Sequence, residues 1–286
     1  MTIVADSGST KTMWMEVESG NKVVTEGLNP HFTTDEQFLA ACAAVRQQFS
    51  ILNSQFSIHF YGAGCGLPAQ RRRVAALLAK AFGTSDIHVE TDMLGACRAV
   101  CGNKAGLVGI LGTGSNACYF DGEKIVRQAV STGYILGDHG SANHVGRKLL
   151  HDYLTGRMPY NISTKFHDDY PMTNEQFMDA VYHQPNANRF LASLAPFALR
   201  NYRFTYCFFA IVDSLKDWYN YQLWDIITSR TDNCRELNIV GGFGAAIGRS
   251  PIERFEEDCD VVVKKRLADP IDGLREYHRV NLKLSS

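Results

Sequence analysis

The sequence predicts an α/β protein made of two similar halves, and three observations carry that reading. Two short glycine-hydroxyl turns, Asp6-Ser7-Gly8-Ser9-Thr10-Lys11-Thr12 and Gly112-Thr113-Gly114-Ser115-Asn116, each follow an apolar strand and open another strand. Each opens a run of three short strands, and helices and strands then alternate. The chain has 286 residues, long for one core and comfortable for two.

The elements follow in order. Ile3–Ala5, Thr12–Glu18 and Lys22–Glu26 read as a meander, with Ser19-Gly20-Asn21 as its second turn. A helix is expected over Thr34–Phe49. Thr34 is its N-cap, Asp35 and Glu36 fill its first turn, and Phe38, Cys42 and Val45 share one face. Phe56–Tyr61 is a strand that ends in Gly62-Ala63-Gly64-Cys65-Gly66. Ala69–Ala81 is a helix, Ile87–Glu90 a strand and Met93–Cys101 a short helix. The second half opens near Ala105, with strands over 107–111, 117–120 and 124–128. Helices dominate from Ser141 to Thr228. Leu237–Val240 is a strand, Gly244–Ile247 begins a helix, Val261–Val263 is a strand, and Asp272–His278 is a terminal helix. The domain boundary therefore falls between 1–107 and 108–286.

Composition narrows the function. The chain is 45% hydrophobic and 21% charged with a net charge of −1, an ordinary globular balance. That balance holds no basic excess for nucleic acid and no basic amphipathic helix for a membrane. The start, Met1-Thr2 and then an apolar strand, does not fit a signal peptide, so a cytoplasmic location is expected. The eight cysteines contain no C-x-x-C pair and read as small buried hydrophobes, with Cys97 and Cys101 spaced for one helix face. The aromatic stretch from Tyr202 to Trp224 reads mostly as core. Its density offers a second reading, a surface for another copy of the chain in a homodimer.

Clustered backbone N–H groups and hydroxyls, free of bulky side chains, are what a polyphosphate needs from a protein. The turns at Ser7, Gly8, Ser9, Thr10, Lys11 and Thr12 and at Gly112, Thr113, Gly114 and Ser115 both offer them, with Asp6 placed for a magnesium ion. The first turn alone reads better as a tight hairpin, and the second also fits one, but the pair is harder to explain that way. The first is not a Walker loop, because Lys11-Thr12 enters a strand rather than a helix. Val240-Gly241-Gly242-Phe243 follows a strand and opens a helix, where glycines either let a flat base lie on the backbone or simply make a strand-to-helix turn, a reading at least as good in isolation. Asp92 ends a strand and begins a helix. It is either a helix N-cap or the general base that takes a proton from a substrate hydroxyl. Asp138, in Gly137-Asp138-His139-Gly140-Ser141, is either a cap or a contact to a polyhydroxy substrate.

The motifs D-S-G-S-T-K-T, T-D, G-T-G-S-N, G-D-H-G-S and V-G-G-F-G, in that order over nearly the whole chain, resemble the N-acetylglucosamine kinase and BadF/BadG/BcrA/BcrD ATPase family of the actin, hexokinase and Hsp70 superfamily. The resemblance implies two ribonuclease-H-like domains of the actin-like ATPase type, with ATP and magnesium in a cleft between them. It implies that 6–12 and 112–115 bind phosphates, that Gly241 and Gly242 belong to an adenosine motif, and that Asp92 is catalytic. Asn29, Asp92, Thr113, Gly114 and Asp138 would contact the sugar. The sequence departs from the family at several positions. Ser7 stands where a second glycine is common, Ala63 or Gly64 where a hydroxyl is expected, Thr132 where animal members carry tryptophan, and His139 where an acid is usual. The expectation is a sugar kinase acting on an amino sugar such as N-acetylglucosamine or a related hexose. A BadF/BadG-like ATPase that drives a partner enzyme, and a non-catalytic sugar sensor, are the alternatives.

Overall fold

A computed structural model describes residues 1–8, 10–49, 56–230 and 234–285. The chain divides into two compact units.

The first unit opens with β1 (Thr2–Ser7), β2 (Lys11–Glu16) and β3 (Lys22–Glu26), an antiparallel meander. Then come α1 (Asp35–Gln48), β4 (Ser57–Gly62), α2 (Pro68–Phe82), β5 (Ile87–Thr91) and α3 (Asp92–Cys101). Thr34 caps α1 in a full capping box with Gln37, and Phe38, Cys42 and Val45 are its buried residues. The sheet order is β3-β2-β1-β4-β5, with β4 and β5 parallel to β1 and β4 respectively. Alternation along β1 sets its two faces. Ile3 and Ala5 join Trp14, Phe38, Phe60 and Leu78 in one core. Val4 points the other way.

The second unit repeats the plan. Its β6 (Gly106–Leu111), β7 (Ser115–Phe120) and β8 (Ile125–Gln128) lead into α4 (Gly133–Leu136), α5 (Ala142–Leu154), α6 (Tyr160–Asp169), α7 (Asn174–Tyr182), α8 (Ala187–Arg200) and α9 (Thr205–Trp218). A π-helical turn, Tyr219–Leu223, joins α9 to α10 (Trp224–Thr228). The unit closes with β9 (Glu236–Val240), α11 (Gly242–Ala246), α12 (Arg249–Cys259) and β10 (Val262–Leu267). The sheet order, β10-β9-β6-β7-β8, is that of the first sheet with each strand replaced by its counterpart. Its core draws on Leu107, Leu111, Leu149, Phe166, Leu194, Leu215 and Trp218.

The last helix, α13 (Ile271–Ser285), returns to the first unit, which comprises Met1–Ala105, Asp121–Ile125 and Asp269–Ser286. There Ile271 packs on Val4, Met15 and Val17, and Arg275 donates to the Val17 carbonyl at 2.7 Å. This departs from the boundary expected at 107/108. The C-terminal segment belongs with the opening strands because the second face of their sheet is apolar and needs cover. Gly122, with φ +108, also approaches the Asn103 carbonyl, which ties the β7–β8 turn to the first unit. Two cysteines differ from expectation. Cys101 and Cys234 are half-buried, whereas the other six are buried. Among the described residues no helix is long and apolar enough to cross a membrane.

Candidate functional site

In the first unit the β1–β2 hairpin carries the first turn. Gly8 N–H donates to the Lys11 carbonyl at 3.0 Å, and a methyl on Gly8 would meet nothing closer than that carbonyl at 3.7 Å. The turn therefore presents open backbone. Thr10 and Lys11 are exposed there; Ser9 lies outside the described residues. The Ser7 and Thr12 side chains do something else. They are cross-strand partners, both 0% exposed, with hydroxyls 2.8 Å apart. Both oxygens accept from Leu28 N–H, at 3.1 and 3.2 Å. Burial keeps these hydroxyls from phosphate, a correction to the expectation for those two side chains. Their effect is to fasten the segment that holds Asn29.

Asn29 is 7% exposed, and its Oδ1 accepts from His31 N–H at 3.0 Å, leaving the amide NH2 as its remaining donor. Gly64 presses on it: with φ +82, a methyl there would lie 2.3 Å from Asn29 Oδ1. A side chain is thus disfavoured at Gly64, one of the two positions, with Ala63, where the resemblance leads one to expect a hydroxyl.

Asp6, near the end of β1, and Asp92, the first residue of α3, are both half-buried. Thr91, not Asp92, caps α3, its hydroxyl accepting from Leu94 N–H at 3.2 Å. The capping alternative for Asp92 therefore falls away. Its Oδ1 accepts from Met93 N–H at 2.9 Å, and its Oδ2 is left to take a proton. Burial raises the Asp92 pKa, against a smaller lowering by backbone hydrogen bonds. Asp6 is raised to about 7, first by burial, then by the charges of Asp92 and Asp269; Lys11 opposes the shift. The Asp92 and Asp269 charges thus disfavour a charge on Asp6, and a divalent cation there would relieve that repulsion. Among the described residues no three His, Cys, Asp or Glu side chains converge as a metal cage. Magnesium keeps several waters and takes one or two carboxylates, so Asp6 is a fitting ligand for it. The sequence reading missed Asp269, although Asp269-Pro270 is a usual start signal for a turn.

In the second unit the β6–β7 turn is shaped by its neighbours. Gly112 N–H donates to the Gly114 carbonyl at 3.0 Å, so it is not available to a ligand, and the exposed backbone donors left are those of Thr113 and Gly114. A methyl on Gly112 would meet nothing within 4 Å. Ser115 N–H donates to Asp138 Oδ1 at 3.2 Å, and Ser115 Oγ donates to the His139 carbonyl at 2.6 Å. Asn143, fully buried on α5, donates from Nδ2 to the Thr113 carbonyl at 2.7 Å and to Asp138 Oδ2 at 3.0 Å. Both oxygens of Asp138 are thereby engaged in holding the turn, and its φ of +53 aims them there. Asn143 and Gln222, whose Nε2 donates to Ser115 Oγ at 3.0 Å, were not legible as site residues.

Gly241 lies against the same turn. Its φ is +124, its N–H donates to the Leu267 carbonyl at 2.8 Å, and a methyl on it would strike the Leu111 carbonyl at 2.5 Å. Gly242 opens α11 with nothing within 4 Å of a methyl on it, a bare surface for a flat group. Thus the structure gathers Asp6, Gly8, Asn29, Gly64 and Asp92 in one unit, and Thr113, Gly114, Asp138, Gly241 and Gly242 in the other.

A candidate N-acetylglucosamine kinase from Porphyromonas gingivalis shares 31% sequence identity with the chain; the match covers 99% of this chain and all of that one, with a TM-score of 0.90. A second candidate N-acetylglucosamine kinase, from Chromobacterium violaceum, matches at 17% identity over 96% and 98% of the two chains, TM-score 0.70. A ROK family glucokinase from Streptomyces griseus, in complex with glucose and AMPPNP, matches at 14% identity over 98% of each chain, TM-score 0.56, a likeness of fold. No protein-family model matches the chain, and no curated protein matches it.

Proposed function

The chain belongs to the N-acetylglucosamine kinase family, and on that footing we propose that it is an ATP-dependent kinase that phosphorylates a hydroxyl of an amino sugar such as N-acetylglucosamine, or of a related hexose. The observation that carries this is Asp92, a half-buried carboxylate at the carboxyl end of a parallel strand, with one oxygen fixed by Met93 and a pKa raised by burial. Open α/β sheets receive their ligands at that end. A raised pKa strengthens the carboxylate as a base at neutral pH.

Phosphoryl transfer asks a protein chiefly for positioning and charge stabilisation. Asp92 Oδ2 takes the proton of the sugar hydroxyl as its oxygen attacks the γ-phosphorus, and ADP leaves. Asn29 orients the sugar through its free amide donor. The Thr10 N–H of the first turn and the Thr113 and Gly114 N–H groups of the second offer donors to phosphate oxygens, and Gly241 and Gly242 offer a bare surface to the adenosine. Magnesium, held near Asp6 through water, would supply a positive charge that offsets charge growing on the phosphates. Exposed Phe209 and Trp224 would supply the apolar contact of a homodimer.

The test is ADP release from magnesium-ATP over a panel of hexoses and N-acetylhexosamines, with the phosphosugar identified by mass spectrometry. One sugar should stimulate strongly. Asp92→Asn should lower turnover on the order of 100-fold or more while ATP binding persists. Slow release indifferent to every sugar overturns the reading.

A further inference from the structure

Helix α3 begins with Asp92, and inside the first unit it is gripped from two sides. A methyl on Gly95, one turn along, would lie 2.8 Å from Tyr61 Cβ and 2.9 Å from its Cγ, so the helix backbone rests on the root of the Tyr61 side chain. A methyl on Gly273 of α13 would lie 2.4 Å from the Ala99 carbonyl, so α13 closes on the later part of α3 at backbone distance.

Arg98 ties these elements together. Its Nη1 donates to the Tyr61 hydroxyl at 2.8 Å, and its guanidinium lies 5.7 Å from the Tyr61 ring centroid and 5.1 Å from that of Tyr277 on α13. An arginine can only donate, so the Tyr61 oxygen accepts from it. Tyr61 is 1% exposed, and its own proton needs an acceptor, which His278 Nε2 of α13 supplies at 2.9 Å. The root of Tyr61 thus lies under Gly95, and its tip is held from α3 and α13 together.

This arrangement costs stability. Arg98 is half-buried, and its Nε is buried with no hydrogen-bond partner. Glu90, a carboxylate whose charge reaches it, pairs with Arg71. A cation held this way lowers stability, which argues for a role other than folding. The flexible apolar stem of a methionine would cover the same rings without that cost. Asp92 stands six residues ahead of Arg98 on the same helix, and reaction geometry tolerates little displacement of a base.

We infer that Arg98 is a positioning residue for Asp92: by holding the Tyr61 hydroxyl it fixes where α3 lies, and with it the carboxylate that takes the sugar proton. The inference rests on Asp92 being the base of the proposed kinase.

Steady-state kinetics with magnesium-ATP and the sugar that stimulates best, thermal melts and amide hydrogen exchange test it. Arg98→Met should lower kcat about tenfold or more, with KM for ATP and melting temperature unchanged. Tyr61→Phe should lower kcat alike, and the double variant should fall no further, because both act through one hydrogen bond. Amides of 92–96 should exchange faster in Arg98→Met while those of the strands keep their rates. An unchanged kcat, a loss that follows the melting temperature, or single losses that multiply in the double variant overturns the inference. A wild type that no sugar stimulates sinks the kinase reading instead. Exchange over 92–96 then decides on its own whether Arg98 holds the start of α3, faster exchange supporting it and unchanged exchange overturning it.

Discussion

Thr12 shows how one side chain can be read correctly as polar and wrongly as exposed. It follows the loop in sequence, yet its hydroxyl turns inward to Ser7 and Leu28. The hairpin register could have revealed this, since Ser7 and Thr12 face each other across β1 and β2 on the same side as Leu28. Thr12→Val keeps the shape and leaves Leu28 N–H with Ser7 alone. Unfolding should be easier by about 1–3 kcal/mol, read by urea denaturation, because a buried polar pair is broken from one side. Asp138 teaches a similar lesson. Its type suggested a substrate contact, but both oxygens shape the loop. The direction of a short polar side chain depends on its φ and its neighbours, and the residue names carry neither. Asp92 was legible because strand end and helix start coincide there.

Elements with a periodic pattern were legible; those decided by packing were not. The meander, α1 and α3 carry clear alternation or caps. By contrast, α12 has a charged sequence with a single narrow apolar stripe of Ile252, Phe255 and Cys259, and it was not foreseen. β10 ends four residues beyond expectation as an edge strand rich in Lys and Arg, the usual protection of an open sheet edge. The packing of α5 on α8 turns on one atom. A methyl on Gly146 would lie 1.8 Å from the Leu191 carbonyl, a backbone group that cannot swing aside. Gly146→Ala should force the helices apart and destabilise the protein by about 1–3 kcal/mol or more in thermal melts. Because α5 also carries Asn143, the same variant should weaken nucleotide binding, whereas Gly83→Asn, at an open left-handed helix cap, should leave binding unchanged.

At the scale of the molecule, the duplicated sheet order was legible from the repeated turns, whereas the return of α13 was not, since no short-range pattern says which sheet a terminal helix covers. That return buries histidines. His278 stacks near His59, 4.1 Å between centroids, and its Nε2 meets the Tyr61 hydroxyl at 2.9 Å. Burial, then the neighbouring His59 and Arg98, lowers His278 to about 3 from an ordinary 6.5, and burial, then His88, lowers His59 to about 4 against an opposing pull from Asp86. Above that ordinary value both are neutral whether folded or not. Below it the unfolded chain binds protons that the folded chain refuses, so stability should fall as pH drops from about 6.5 towards 4. Urea midpoints should be lower at about pH 5 than at pH 7, and His278→Gln should flatten that slope.

The place of Ile271 also bears on how the protein is made. On the ribosome, residues 1–105 emerge with Val4, Met15 and Val17 still lacking Ile271, because 269–285 is encoded after the whole of the second unit. The earlier-made unit is therefore the later one to be sealed. During that interval Val4, Met15 and Val17 wait for the residue that completes their cluster, so refolding of the intact chain should outpace the seal available to a chain still being made.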